Sequence, residues 1–283
     1  MPLLPDLNCD CKCLALHSFD LLKRGCKGIA LFGTTGEGPS FSVGERLQVL
    51  DRLIAEGIDP KQIILCNSSS GIQETALMAE AALKYGCAAL LVCPPSFYKN
   101  VTDAGVIAFY REVIQRVKNP QLRLILYHIP QYSGVPISLE IISALRREFP
   151  GIVIGMKESA GNFAFTQKVL EAFPNFKVFV GNERQIIEAV HLGGSGAICG
   201  VANLYPELIC SLYEEGRKAN GLNPPRLDAF FEAMQGIPFI AAAKAVMEER
   251  GGNVWHMLRP PLVPLDEIQR RRFISTLQTI GLE

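Results

Sequence analysis

The feature that most constrains this chain is a regular alternation between short apolar runs and longer helical segments. Each apolar run ends in glycine or small polar residues, and a segment with helical periodicity follows it. The runs are continuously apolar, which is typical of parallel strands covered by helices on both faces. The sequence therefore predicts a parallel α/β fold. The runs are GIALFGTT (28–35), QIILCNSS (62–69), AALLVCPP (88–95), LRLILYHI (122–129), IVIGMKES (152–159), KVFVGNE (177–183) and GSGAICGVA (194–202).

Two arrangements fit this alternation, an open doubly wound sheet and a closed (β/α)8 TIM barrel. The even spacing of the units favours the barrel, and so does the lack of a glycine-rich dinucleotide fingerprint. Only seven strand-like runs are found, so an eighth should precede residue 10. The opening residues MPLL are too short for a convincing strand. We therefore expect a (β/α)8 barrel whose first strand is short or missing.

The strands stop after residue 205, and four helical segments separated by prolines follow. The first of them is a candidate for the last helix of the barrel. The other three form an appendage that covers the barrel or builds an oligomer contact. We therefore divide the chain into a barrel, 1–205, and a C-terminal helical segment packed on it, 206–283.

The composition of the chain limits the kinds of partner and ligand that we expect for the protein. The formal net charge is +0 and the sequence pI is about 6.9, which gives no reason to expect nucleic acid or an anionic membrane surface as a partner. No apolar run approaches the roughly 18–20 residues that span a bilayer, and no signal peptide is evident. We expect a cytoplasmic protein. Nine cysteines make a poor disulfide framework, and the spacing of Cys9, Cys11 and Cys13 is not that of common zinc sites. No metal is expected.

A lysine stands where the fifth strand should be buried. In a barrel, reactive groups lie at the C-terminal ends of the strands, and Lys157 follows the apolar run GIVIGM. A lysine amine withdrawn from water loses its proton more readily, and the free amine attacks a ketone or aldehyde to form a Schiff base. The alternative is a lysine whose stem is buried while its head reaches solvent. The strand pattern alone leaves both interpretations open.

Two further strand ends carry groups that fit such chemistry. Tyr127 is a candidate proton carrier, although an ordinary strand-end tyrosine is the simpler interpretation. GTTGEG offers the hydroxyls of Thr34 and Thr35 and loop amides that suit a carboxylate, or it is only a tight turn that needs glycine. His128 should point to the opposite side of its strand from Tyr127.

Three stretches in this order, GTTGEGPSFS, YHIPQYSGVPIS and GMKESAGN, resemble the dihydrodipicolinate synthase / N-acetylneuraminate lyase family of pyruvate-dependent class I aldolases. The resemblance implies a (β/α)8 barrel with C-terminal helices, assembled as a homotetramer or homodimer. It implies that Lys157 forms an imine with pyruvate, that Tyr127 is catalytic, and that no separate cofactor is needed. The substrate-binding groups implied are Thr34, Thr35, Gly181 and Ile198.

Departures from the family pattern concern the second substrate, an aldehyde. Synthases of the family usually carry an arginine where this chain has Tyr132, and a tyrosine from the PPSFYKN loop corresponds to Phe97 or Tyr98. These three residues are the candidates for acceptor specificity. The alternatives are a 2-keto-3-deoxy sugar acid or N-acetylneuraminate-type aldolase, and a non-catalytic homologue that binds a 2-oxo acid. A phosphate site at GGSGAICG lacks a nearby Lys or Arg, and a metal-dependent aldolase lacks its ligands.

Overall fold

The computed structural model describes residues 1–218 and 225–282. Its centre is a sheet of seven strands in chain order, and every adjacent pair is parallel. This confirms the predicted parallel α/β architecture and the seven predicted runs. The strands are β1 Ile29–Leu31, β2 Ile63–Asn67, β3 Ala89–Val92, β4 Leu124–His128, β5 Val153–Glu158, β6 Lys177–Val180 and β7 Gly196–Ala197.

Helices follow the strands and continue beyond the sheet. Each of the four helical segments predicted after residue 205 is present, although residues 219–220 of the first lie outside the described part. The helices are α1 Cys11–Lys23, α2 Val43–Ala55, α3 Ile72–Tyr85, α4 Asp103–Val117, α5 Pro130–Ser133, α6 Leu139–Glu148, α7 Phe163–Ala172, α8 Ile186–His191, α9 Pro206–Lys218, α10 Pro225–Ala233, α11 Phe239–Gly251 and α12 Glu267–Thr279.

The N-terminal residues take the place of a regular eighth strand. Leu3 forms one isolated antiparallel bridge with Cys9, and its amide donates to the carbonyl of Val254. The side chain of Asp10 then caps α1 by accepting from the amide of Cys13, 3.0 Å away. In the described residues the first strand is therefore missing, as the shortness of MPLL predicted.

The strands owe their continuous apolar character to burial on both faces. All four residues of β3 are buried, and the strand lies between β2 and β4. On α4, Val106, Tyr110 and Val113 are buried on the face that the periodicity predicted. Burying each such side chain contributes roughly 1.5–3 kcal/mol, so the register of each element is strongly fixed by the core.

A second apolar cluster joins the C-terminal helices to the end of the barrel. It contains Val180 of β6 and Ile186 of α8 together with Leu227, Phe230 and Phe273 of the later helices. Residues of α8 and α9 also pack closely along their length. The C-terminal helices are therefore continuous with the packing of the last barrel units.

Candidate active site

The sheet register places the predicted lysine beside the predicted tyrosine. Tyr127 of β4 pairs with Lys157 of β5, and Lys157 pairs in turn with Phe179 of β6. Side chains that are in register on adjacent parallel strands point to the same side of the sheet. Two residues thirty positions apart in the sequence thus become neighbours because the strands are parallel and adjacent.

A chain of polar contacts joins three of the predicted residues. The Nζ of Lys157 donates to the hydroxyl of Tyr127 at 3.1 Å, and that hydroxyl lies 3.1 Å from Oγ1 of Thr34. The same Nζ lies 4.4 Å from the centre of the Tyr127 ring. Lys157 is 8% exposed and Tyr127 5%. The amine is therefore buried near the C-terminal end of β5 and does not extend into solvent.

The turn after β1 presents the two threonines. The amide of Glu37 donates to the carbonyl of Thr34 at 3.0 Å, and the amide of Gly38 donates to Gly33 at 3.1 Å. A Cβ on Gly38 would lie 1.8 Å from the carbonyl oxygen of Phe32, so only glycine fits there. The glycines of GTTGEG thus do serve a tight turn, and this turn aims Thr34 at Tyr127.

Gly181 and Ile198 lie at the ends of the next strands. The amide of Gly181 donates to the carbonyl of Glu158 at 2.6 Å, and that of Ile198 to the carbonyl of Val180 at 3.0 Å. Both amides are thus used within the sheet. Any contact of these backbones with a ligand would come from their carbonyl oxygens.

Buried thiols and one carboxyl surround the lysine, and sequence patterns did not single them out as site residues. Burial raises the pKa of Cys66 and of Cys93 to about 12, although the charge of Lys157 lowers both. Burial also raises the pKa of Glu183, whose Oε1 accepts from the amide of Val201 at 3.0 Å. The thiols stay protonated at neutral pH and line the lysine as apolar groups. Their only sequence signal was a position in or just after a strand.

His128 lies on the other side of β4, as its position after Tyr127 predicted. Its Nδ1 accepts from the amide of Ile137 at 2.9 Å, and its ring lies 4.9 Å from that of Phe165. Burial lowers the pKa of His128 to about 4. The imidazole is therefore neutral, and it acts as an acceptor that holds the segment after α5.

The three candidates for acceptor specificity are exposed. Tyr132 is 71% exposed, Phe97 81% and Tyr98 72%. Lys99 brings their loops together, because its Nζ donates to the carbonyl of Ser133 at 2.8 Å and also to that of Ser96. The structure thus places Phe97 and Tyr98 on the loop after β3 and Tyr132 on the neighbouring short helix α5, outside the chain of contacts that joins Lys157, Tyr127 and Thr34.

Two further findings bear on the kind of site. Within residues 1–218 and 225–282, no three His, Cys, Asp or Glu residues are placed to hold a metal ion. In the same residues no helix has the length and apolar character needed to cross a membrane.

Known proteins resemble this chain in sequence and in fold. An uncharacterized DapA-like lyase of Chloroflexus aurantiacus is 30% identical over 247 residues, which cover 87% of this chain and 82% of that protein. The crystal structure of dihydrodipicolinate synthase from Agrobacterium tumefaciens superposes with a TM-score of 0.93 at 31% identity, covering 99% of this chain and 96% of the other. A variant of the 2-keto-3-deoxygluconate aldolase of Sulfolobus solfataricus superposes with a TM-score of 0.86 over 99% of this chain and 93% of the other. At 20% identity it is similar in fold alone.

The match to a known family extends over nearly the whole sequence. Residues 2–280 fit the Dihydrodipicolinate synthetase family, and they include all three motifs that carry the predicted site. The chain therefore belongs to the Dihydrodipicolinate synthetase family.

Proposed function

We propose that this protein is a class I aldolase that joins pyruvate to an aldehyde, or cleaves the product, through an imine on Lys157. The observation that carries the proposal is the buried contact chain from Lys157 to Tyr127 to Thr34. Such an amine needs no metal or organic cofactor, because the substrate itself becomes the covalent electron sink. Family membership supports the same reaction class.

Each residue has a separate task in this reaction. Lys157 attacks the keto carbon, and loss of water gives the iminium. The hydroxyl of Tyr127, in contact with both Lys157 and Thr34, moves protons to and from the reacting atoms. Thr34 and Thr35 hold the carboxylate of pyruvate, and the carbonyls of Gly181 and Ile198 border the imine. The enamine formed by loss of a methyl proton then attacks the aldehyde carbon, and the reverse sequence cleaves that bond.

The identity of the aldehyde is a separate part of the proposal. Tyr132 stands where synthases of the family usually carry an arginine, which favours an acceptor other than that of lysine biosynthesis. A 2-keto-3-deoxy sugar acid or N-acetylneuraminate-type reaction is the alternative. We infer that Tyr132, Phe97 and Tyr98 contribute to this choice, since all three are exposed and Lys99 joins the loop of Phe97 and Tyr98 to the end of α5, the short helix that follows the strand of Tyr127.

The cellular form is part of the proposal. We infer a cytoplasmic homotetramer or homodimer, built on a (β/α)8 barrel whose first strand is short or missing. The fold shared with the Agrobacterium enzyme supports the barrel.

Borohydride trapping tests the imine. Incubation with pyruvate and borohydride should add one reduced pyruvyl group to the protein, and peptide mapping should place it on Lys157. Lys157→Met should abolish the adduct, while Lys168→Met on the exposed face of α7 should keep it. If the wild-type protein gave no adduct under conditions where a known family member reacts, the imine would be rejected.

An aldehyde screen separates the remaining alternatives. Aspartate semialdehyde, N-acetylmannosamine and glyceraldehyde are each offered with pyruvate, and pyruvate consumption is followed. Turnover with one of them assigns the acceptor class. Thermal stabilisation by pyruvate with neither adduct nor turnover would instead favour the non-catalytic homologue.

A further inference from the structure

The turn that carries Thr34 and Thr35 contains a buried charge. Glu37 is 1% exposed, and a carboxylate withdrawn from water needs a partner. Its Oε1 lies 2.7 Å from the Nζ of Lys244 on α11, which is itself buried. The amino group of Met1 lies farther from the same oxygen, at 3.6 Å.

A second contact reaches Glu37 from the C-terminal helical segment. The amide of Arg259 donates to Oε2 of Glu37 at 2.9 Å. Lys244 also donates to the carbonyl of Met257, so both partners of the carboxylate are tied to one another. One hydrogen bond to Oε2 and one ion pair at Oε1 therefore hold this side chain from the C-terminal helical segment.

The backbone of the turn has an unfavourable conformation that surrounding contacts must stabilise. Glu37 has φ of +56° and Phe32 has φ of +65°, and non-glycine residues seldom adopt this left-handed conformation. Backbone of this kind persists only where its surroundings hold it. Glu37 is also the residue whose amide closes the turn on Thr34. A displacement of the Glu37 side chain is therefore expected to displace the backbone of the turn that carries the threonines.

α11 also approaches the same turn from the side of Gly200. A Cβ on Gly200 would lie 2.4 Å from the ring of Phe239, the first residue of α11, and 3.1 Å from Oγ1 of Thr35. Gly200 therefore separates Phe239 from Thr35 by the width of a backbone. One helix of the C-terminal segment thus contacts Glu37 of the turn through Lys244 and packs through Phe239 against Gly200, which borders Thr35.

We infer that the buried Glu37–Lys244 ion pair is a positioning device that holds the turn of residues 33–38 in the form that binds the carboxylate of the 2-oxo acid substrate. This inference rests on the proposed function for the identity of the ligand. A buried ion pair is often no more stabilising than an apolar pair of the same size. The charge of Lys244 does, however, keep the carboxylate of Glu37 at one place in the core, where it also accepts the hydrogen bond from Arg259, and an apolar pair would not do this.

The test compares Lys244→Met with a control variant in the same segment. Lys244→Met removes the ammonium and keeps most of the stem. The control is Leu277→Ala in α12. Leu277 is buried in the apolar cluster of the C-terminal helices, so its truncation should lower stability without changing a contact of the turn. For each protein we measure the pyruvate concentration that gives half-maximal borohydride trapping, and amide hydrogen exchange of residues 33–38 without ligand.

Lys244→Met should raise the half-maximal pyruvate concentration about 10- to 100-fold, as small displacements of binding groups do, while trapping at saturation still occurs on Lys157. Exchange in residues 33–38 should be faster. Leu277→Ala should leave both quantities unchanged although its melting temperature falls. Wild-type values for Lys244→Met, or an equal shift in Leu277→Ala, would overturn the inference.

Two further outcomes can also be interpreted, a Lys244→Met variant that does not fold and a wild-type protein that gives no adduct. If Lys244→Met fails to fold, the double variant Glu37→Gln/Lys244→Met replaces it, because it removes both charges of the ion pair together, and the same shifts are expected. If the wild-type protein gives no adduct, the proposed function fails. Hydrogen exchange of residues 33–38 then decides by itself whether the ion pair holds the turn.

Discussion

At the scale of single residues, the hydroxyl of Tyr127 occupies the central position. It accepts from Lys157 and contacts Thr34, so it connects the lysine proposed to form the imine with the turn proposed to hold the carboxylate of the substrate. The ring alone packs over Nζ and does not depend on the hydroxyl. The two contributions of this side chain can therefore be separated by removing one oxygen atom.

Tyr127→Phe should lower kcat about 100-fold or more, since general acid–base catalysis contributes 10²–10⁴-fold. The KM for pyruvate should change much less, because Thr34 and Thr35 remain. Steady-state kinetics with the aldehyde identified by screening measures both. Tyr110→Phe is the matched control, as the buried hydroxyl of Tyr110 donates to Val92 at 3.0 Å, away from the site. Full activity in Tyr127→Phe would show that another group carries the proton.

His128 gives a prediction about pH. Its pKa is about 4 in the folded protein and about 6.5 in an unfolded chain. Between these values the unfolded state binds more protons, so acidification removes stability as the pH falls from 6.5 towards 4. Between pH 7 and pH 5 this single group should lower the free energy of unfolding by up to about 2 kcal/mol.

His128→Asn isolates that contribution. Asparagine keeps an oxygen that can accept from the amide of Ile137 but does not titrate. Urea unfolding at pH 7 and pH 5 should show a smaller loss of stability in the variant than in the wild-type protein. Equal losses would mean that other groups, such as the carboxylates common to both proteins, dominate the acid response.

At the scale of elements, much of the fold could be predicted because it depends on local patterns. Apolar runs located the strands, and the helical period of α4 located its buried face. No prediction covered the helix α1: the eighth strand was expected before residue 10, and α1 begins at Cys11, after the cap provided by Asp10. The partners of Glu37 could not be predicted, because Arg259 lies 222 positions away and no local pattern joins them. Lys157 was found only because a cation interrupts a strand.

Gly155 shows how tightly the strands beside Lys157 approach one another. A Cβ at Gly155 in β5 would lie 2.3 Å from the carbonyl oxygen of Lys177 in β6. Gly155→Ala should therefore lower the free energy of unfolding by about 1–3 kcal/mol, the usual cost of overpacking. Denaturation in urea measures it.

The same substitution in open space is the control. Gly44 lies in α2, and a Cβ there would have no neighbour within 4 Å. Gly44→Ala should be neutral or stabilising by up to about 1 kcal/mol, because alanine favours the helix. A Gly155→Ala protein as stable as Gly44→Ala would mean that β5 and β6 can separate freely.

At the scale of the whole molecule, the C-terminal helical segment is tied to the barrel by more than apolar packing. The guanidinium of Arg259 donates to the carbonyls of Leu7 and Ser40, pairs with Glu45 at 2.6 Å, and lies 3.7 Å from the centre of the Phe41 ring. Together with the Glu37–Lys244 pair, these contacts cross between the two parts of the chain. We expect the two parts to unfold together.

The single tryptophan makes this testable. Trp255 is buried in the C-terminal segment, and its ring lies 5.1 Å from that of His17 in α1. Tryptophan fluorescence and far-ultraviolet circular dichroism should give coincident urea transitions with one midpoint. A fluorescence transition at lower urea would show that the C-terminal segment separates first, and that 206–283 behaves as an independent unit.

The way the loops are anchored has an evolutionary consequence. The turn that holds Thr34 and Thr35 is fixed from inside the molecule, whereas the loops that carry Phe97, Tyr98 and Tyr132 are exposed and tied to one another by Lys99. Mutations in the exposed loops disturb few buried contacts and can accumulate without loss of the fold. With the roles proposed for these residues, selection can therefore exchange one aldehyde for another while the keto-acid half of the enzyme is inherited unchanged.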